Sequence, residues 1–134
     1  MVTPGGGGDG EALIDLVLSA YEYDRAIPFP ALLVFGPFML PEQRATFARP
    51  CLTAQQTSTR SPSIRGSSPD GSCRAGVVAM GGYNTFCEIL SFDKRALIVP
   101  RTAPRLEQFI RARRAAELGL LTMLPEQRGS RPCE

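Results

Sequence analysis

The chain has 134 residues, with 15 Lys and Arg against 13 Asp and Glu, 43% hydrophobic residues and no histidine; that length and composition suit one globular domain around one core. A net charge of +2 is too small to argue for nucleic acid or an anionic membrane as partner. The absence of histidine excludes a Ser-His-Asp or Cys-His site within this sequence, and no apolar run reaches the roughly 18 residues of a spanning helix.

In chain order, Val2 and Thr3 read as the end of a strand, as if the chain began late. A glycine-rich turn follows: Gly5, Gly6, Gly7, Gly8, Asp9 and Gly10. It leads into a helix over residues 11–22, where Leu13, Ile14, Val17, Leu18 and Tyr21 recur at helical spacing. Residues 24–30 form a loop broken by Pro28 and Pro30. Ala31-Leu32-Leu33-Val34-Phe35 has the composition of a buried strand, which Gly36-Pro37 ends. A helix then begins at Pro41, a residue suited to a first turn, and runs to Phe47.

Residues 47–75 differ in style. Ser, Thr, Pro, Gly and Arg dominate, and the few apolar residues lack a period. By itself such a segment buries too little surface to offset its ordering entropy. An out-of-frame stretch and a natural flexible insertion both account for it, and the expectation is poor packing. Patterning resumes with the strand Gly76-Val77-Val78-Ala79-Met80, then Gly81-Gly82, a short helix, and the strand Ala96-Leu97-Ile98-Val99-Pro100. A helix is expected over residues 105–118. Leu106, Phe109, Ile110, Ala112 and Ala116 would be its inner face, with i,i+4 pairs Glu107–Arg111 and Arg113–Glu117 and Gly119 at its end. Residues 120–124 suit a last strand, and 125–134 a tail.

Strands and helices therefore alternate. The expectation is an α/β domain over residues 1–124, with a Rossmann-like, mostly parallel sheet, helices on both faces and one irregular insert. Cys51, Cys73, Cys87 and Cys133 form no C-x-x-C pair and no zinc spacing. They read as free thiols of a reducing compartment. No basic segment followed by an apolar one opens the chain, so a cytoplasmic location is expected, with no metal.

Two glycine turns, each followed by a helix, are the features that bear on chemistry. Glycine lets the backbone approach a phosphate and adopt positive φ, and the helix N-terminus then offers N–H groups and a positive dipole end. Neither turn is a P-loop or a good dinucleotide fingerprint. Each is either a tight turn or a ligand cradle. Thr85-Phe86-Cys87-Glu88 has the form of a capping box; alternatively, the Glu88 carboxylate accepts from two sugar hydroxyls. Arg101 and Arg105 flank the loop after a strand and are candidates for a phosphate, or else solvated charges. Gln108, early in its helix, is a candidate donor to a ligand or an exposed glutamine.

Taken together, Gly82-Tyr83-Asn84-Thr85-Phe86-Cys87-Glu88, Val99-Pro100 and Glu107-Gln108 resemble the C-terminal half of a GT-B glycosyltransferase of the family 28 type. That family includes the N-acetylglucosaminyl transferase of peptidoglycan precursor synthesis. The resemblance covers most of residues 2–46 and 76–124. It implies a domain that binds a nucleotide-sugar donor, of the uridine diphosphate type. Gly6, Gly7, Gly8 and Asp9 of the first turn, and Gly82, Asn84 and Thr85 of the second, would face the diphosphate. Glu88 would bind ribose, Gln108 the donor sugar, and Arg101 or Arg105 the phosphates. It also implies metal-independent transfer, no cofactor besides the donor, and a partner acceptor domain missing from this sequence, so that the chain alone is inactive. Glu107 stands where the family has histidine, and Arg111 where it has asparagine. The competing reading is a non-catalytic α/β interaction or regulatory module.

Overall fold

The computed structural model describes residues 1–5, 10–28, 30–35, 39–47, 53–55 and 76–125. Residues 6–9, with the candidate positions Gly6, Gly7, Gly8 and Asp9, lie outside the described residues, as does most of 47–75.

Six strands, β1 (Val2–Thr3), β2 (Leu32–Val34), β3 (Thr53–Gln55), β4 (Val77–Ala79), β5 (Ala96–Ile98) and β6 (Thr122–Met123), form one sheet in the order β3-β2-β1-β4-β5-β6. Every neighbouring pair is parallel. Four helices are interleaved with them: α1 (Glu11–Tyr23), α2 (Pro41–Thr46), α3 (Tyr83–Ser91) and α4 (Glu107–Glu117). The fold is Rossmann-like α/β, and its strand order is that of a doubly wound sheet whose two halves meet at the first and fourth strands. No helix among the described residues is long and apolar enough to cross a membrane.

β2, β4 and β5 are apolar throughout, as strands covered on both faces of a parallel sheet are. In register, Leu33, Val2 and Val78 lie side by side. That row packs with Leu13, Ile14 and Leu18 of α1 and with Met39. The opposite row, Ala79 beside Ile98 beside Met123, packs with Ile89 of α3 and Ala112 of α4. Leu33, Ile98 and Ala112 have no exposed surface. Burying a side chain the size of Leu33 or Ile98 contributes about 1.5–3 kcal/mol.

Helix ends follow local chemistry. Pro41 opens α2, where its missing N–H costs nothing. α4 ends as expected at Gly119, whose φ is +71°. Gly119 N–H donates to Ala116 O and Leu120 N–H to Ala115 O, the paired bonds of a Schellman motif. α3 ends in the same way, but with Asp93 at φ +47° in the left-handed position, Asp93 N–H on Leu90 O and Lys94 N–H on Ile89 O.

Three sequence expectations need correction. Within the interval taken to lack regular elements, Thr53–Gln55 is a strand that pairs in parallel with all of β2; an open edge recruits backbone whatever the side-chain period. The inner face of α4 is rotated from the one expected. Of the expected residues Ala112 is buried and Phe109 and Ala116 are half-buried, but Ala115 takes a buried place not expected of it, while Leu106 is 53% and Ile110 62% exposed. Ala112 packs in the cluster of Val77, Ala79, Ile89, Ala96 and Ile98, and the larger side chains of the helix lie outside that contact. Finally, Arg113–Glu117 forms an ion pair at 3.2 Å, but Glu107–Arg111 does not. Glu107 meets Arg105 at 3.9 Å, and Arg111 turns to a backbone carbonyl.

The corrected helix face is testable by chemical denaturation. Ala115→Leu should overpack the helix–sheet contact and cost about 1–3 kcal/mol. Ile110→Ala, expected from sequence to leave a core cavity, should change stability by less than about 0.5 kcal/mol. The reverse ranking would restore the original face.

Candidate functional site

α1, α3 and α4 follow β1, β4 and β5, so all three start on the carboxyl edge of the sheet. The first turn of a helix leaves N–H groups without intrahelical acceptors. Here no side chain caps α1, α3 or α4; their N-cap residues are Gly10, Gly82 and Leu106. β1 and β4 are adjacent at the centre of the sheet, the place where the two halves diverge and a crevice opens beyond the strand ends.

Of the three helix starts, α3 has the most positive surroundings. Glu11 stands in the first turn of α1 and Glu107 in that of α4, but no acid stands in the first turn of α3. An acid there would offset the positive end of the dipole. The turn before α3 requires its first glycine. Gly81 has φ +79°, and a Cβ on it would lie 2.9 Å from Ile98 Cγ2. Gly82 has an ordinary φ of −55°, and a Cβ there would meet nothing within 4 Å. In the first turn of the chain, a Cβ on Gly10 would collide with the ring of Pro4. Gly10 is therefore a packing glycine as well as a helix start.

The candidate residues divide between the two faces. Gly82, Asn84, Thr85 and Glu88 belong to α3 and its N-cap, where Asn84 is exposed and Thr85 and Glu88 are half-buried. Asn84 and Glu88, four apart, share a helix face. Gln108 sits in the first turn of α4, half-buried, and its Oε1 is buried with no hydrogen-bond partner among the described residues. Arg111, one turn later, donates from Nη1 to Gly81 O at 3.0 Å, which brings the start of α4 against the glycine turn. Arg101 is placed on the α1 side. It lines a cavity of about 330 Å³ with Leu13, Leu16, Met80, Pro100 and Leu124. Arg105 is exposed and paired with Glu107. A larger hollow, about 1020 Å³, opens at the opposite strand ends beside Met1, Tyr21, Arg95 and Leu121, and no described residue of either glycine turn lines it.

The capping box does not form. Tyr83 opens α3 and no side chain caps it, so Thr85 is the third helical residue rather than the N-cap. Phe86 N–H donates to Gly82 O at 2.9 Å. The helix begins two residues before Thr85 because Gly82 already reaches a start conformation without strain. Sequence reasoning gave Arg111 only a surface ion pair and gave Tyr83 and Phe86 no role. The guanidinium carbon of Arg111 lies 5.5 Å from the Tyr83 ring centre and 5.7 Å from that of Phe86. Arginine and aromatics near a glycine turn were the visible signal, but their spacing of 28 and 25 residues hid the contact. Among the described residues no group of three or more His, Cys, Asp or Glu could hold a metal ion. Cys87, the one described cysteine, is a half-buried free thiol.

No protein-family model matches this chain, and no curated protein matches its sequence.

The geometry makes opposite forecasts for neighbouring positions. Gly81→Ala should destabilise by about 1–3 kcal/mol, from positive φ and the contact with Ile98. Thr85→Ala should cost under about 0.5 kcal/mol, where loss of a true cap would cost about 1 kcal/mol. Thermal and urea unfolding of the two variants checks both.

Proposed function

We propose that this chain is the donor-binding half of a nucleotide-sugar-dependent glycosyltransferase, with the diphosphate held at the start of α3. The observation that carries the reading is the N-terminus of α3: uncapped, without an acid in its first turn, preceded by two glycines, and set beside β1 and β4 where the strand order reverses. N–H groups and a dipole end so placed are suited to a phosphate. The sequence resemblance to the GT-B donor domain supports the rest. Glu88, the sixth residue of the helix, would accept from the ribose hydroxyls. Gln108, whose buried oxygen has no partner among the described residues, would meet the donor sugar. Arg101, on the α1 side of the edge, would meet the diphosphate from across the crevice.

In this reading the protein stabilises the departing nucleoside diphosphate by fixed N–H groups and a helix dipole. Bond formation then needs an acceptor oxygen within roughly 3–3.5 Å of the anomeric carbon and a base to take its proton. Both would come from an acceptor domain outside this sequence. The 134-residue chain would bind donor and transfer nothing.

Thermal denaturation with uridine diphosphate tests the proposal. At a hundred times its Kd the ligand should add about 2.7 kcal/mol of stability, a rise of several degrees in Tm. Glu88→Gln should weaken nucleotide binding by about 1–3 kcal/mol while leaving the Tm of the ligand-free protein within experimental scatter. Equal shifts from uridine diphosphate and inorganic phosphate, or none from either, would overturn the reading and favour a non-catalytic module.

A further inference from the structure

Arg111 reaches from α4 to the glycine turn. Its Nη1 donates to Gly81 O at 3.0 Å, across 30 residues of sequence. Its guanidinium carbon also stands over two rings of α3, Tyr83 at 5.5 Å and Phe86 at 5.7 Å. No described carboxylate forms a salt bridge with it. The cation is thus half-buried, stacked by two aromatics and directed at a single carbonyl dipole.

That carbonyl belongs to the peptide between Gly81 and Gly82. In a trans peptide the C=O and the following N–H point in opposite directions. Fixing Gly81 O therefore fixes Gly82 N–H. A peptide plane can also flip, as between type I and type II turns, which turns ψ of one residue and φ of the next by about 180°. The flip would take φ of Gly82 from −55° to roughly +125°, a region open to glycine and closed to other residues. With glycine on both sides, local sterics do not select one plane. A Cβ on Gly82 would touch nothing within 4 Å in the present plane, so that position is unstrained as it stands.

We propose that Arg111 is a positioning residue: it holds the Gly81–Gly82 peptide plane in one orientation, and so sets the dipole that a ligand meets ahead of α3. The ligand half of this inference rests on the proposed phosphate site. With the plane flipped, a carbonyl oxygen replaces an N–H and repels an anion. The brace thereby makes the turn receptive before any ligand arrives, and α4 becomes part of the site through one hydrogen bond.

The test uses Arg111→Met, which keeps a long side chain but loses the donors, with Gly82→Ala added as a second change. Alanine at 82 blocks the flipped plane without touching Arg111. In ligand-free protein, Arg111→Met should move the Gly81 carbonyl ¹³C and Gly82 amide ¹⁵N resonances, and Gly82→Ala in that background should bring the Gly81 carbonyl back toward its wild-type position. Uridine diphosphate affinity, by titration calorimetry, should fall about tenfold in Arg111→Met if the receptive plane drops to about a tenth of the population, and the double variant should recover at least half of that loss on a logarithmic scale. A merely structural Arg111 would give no such rescue, since alanine at 82 restores neither its charge nor its packing. Unmoved resonances in Arg111→Met, or no recovery in the double variant, would overturn the proposal. Should wild-type protein fail to bind uridine diphosphate, the proposed function falls, while the ligand-free resonances still decide the brace. Arg111→Lys, which keeps the charge without the planar fork, reads the same resonances if the methionine variant does not fold.

Discussion

Val2 and Thr3 join the two halves of the sheet. Val2 pairs with Leu33 on one side and Val78 on the other, so a strand of two residues is the seam between β3-β2 and β4-β5-β6. The amino group of Met1 adds to the seam by donating to Gly76 O at 2.8 Å, and Val78 N–H donates to Met1 O at 2.9 Å. Parallel pairing at this seam requires each following element to cross back over the sheet. Those crossings put the starts of α1, α3 and α4 on one edge. The position of the candidate site thus depends on the seam before it depends on any functional side chain.

The edge is electrostatically uneven. Three uncapped helix starts meet there, but only α1 and α4 carry an acid in the first turn. Beside α3 stands the guanidinium of Arg111, which donates to Gly81 O. A cation on the carbonyl side of a peptide and a dipole end beyond it both favour negative charge ahead of α3. Stability and receptivity meet at Gly81. Its positive φ and its contact with Ile98 tie the turn to the core, and its oxygen ties the turn to α4.

Much of the architecture was legible in the chain. Leu13, Ile14, Val17 and Leu18 announced α1, and the apolar runs around Leu33, Val78 and Ile98 announced three central strands, because a period of 3.6 and a continuous apolar run are properties of neighbouring residues. Gly119 marked the end of α4 for the same local reason. The misreadings share a cause. Thr53–Gln55 carries no strand signal and is a strand because β2 has an open edge. Leu106 and Ile110 fit an inner stripe with Ala112, and only the packing against the sheet put Ala115 in their place. Thr85 and Glu88 fit a capping box until Gly82 began the helix earlier.

The sequence by itself determined the alternation of strands and helices, the two glycine turns and the lack of a histidine-based site, since each is set by residue type or by contacts within a few positions. Tertiary structure alone decided the strand order, the common edge of three helix starts and the bond from Arg111 to Gly81. These join residues from 19 to 76 positions apart, and pairings at that range are chosen by how the whole core packs, which no local pattern of side chains encodes.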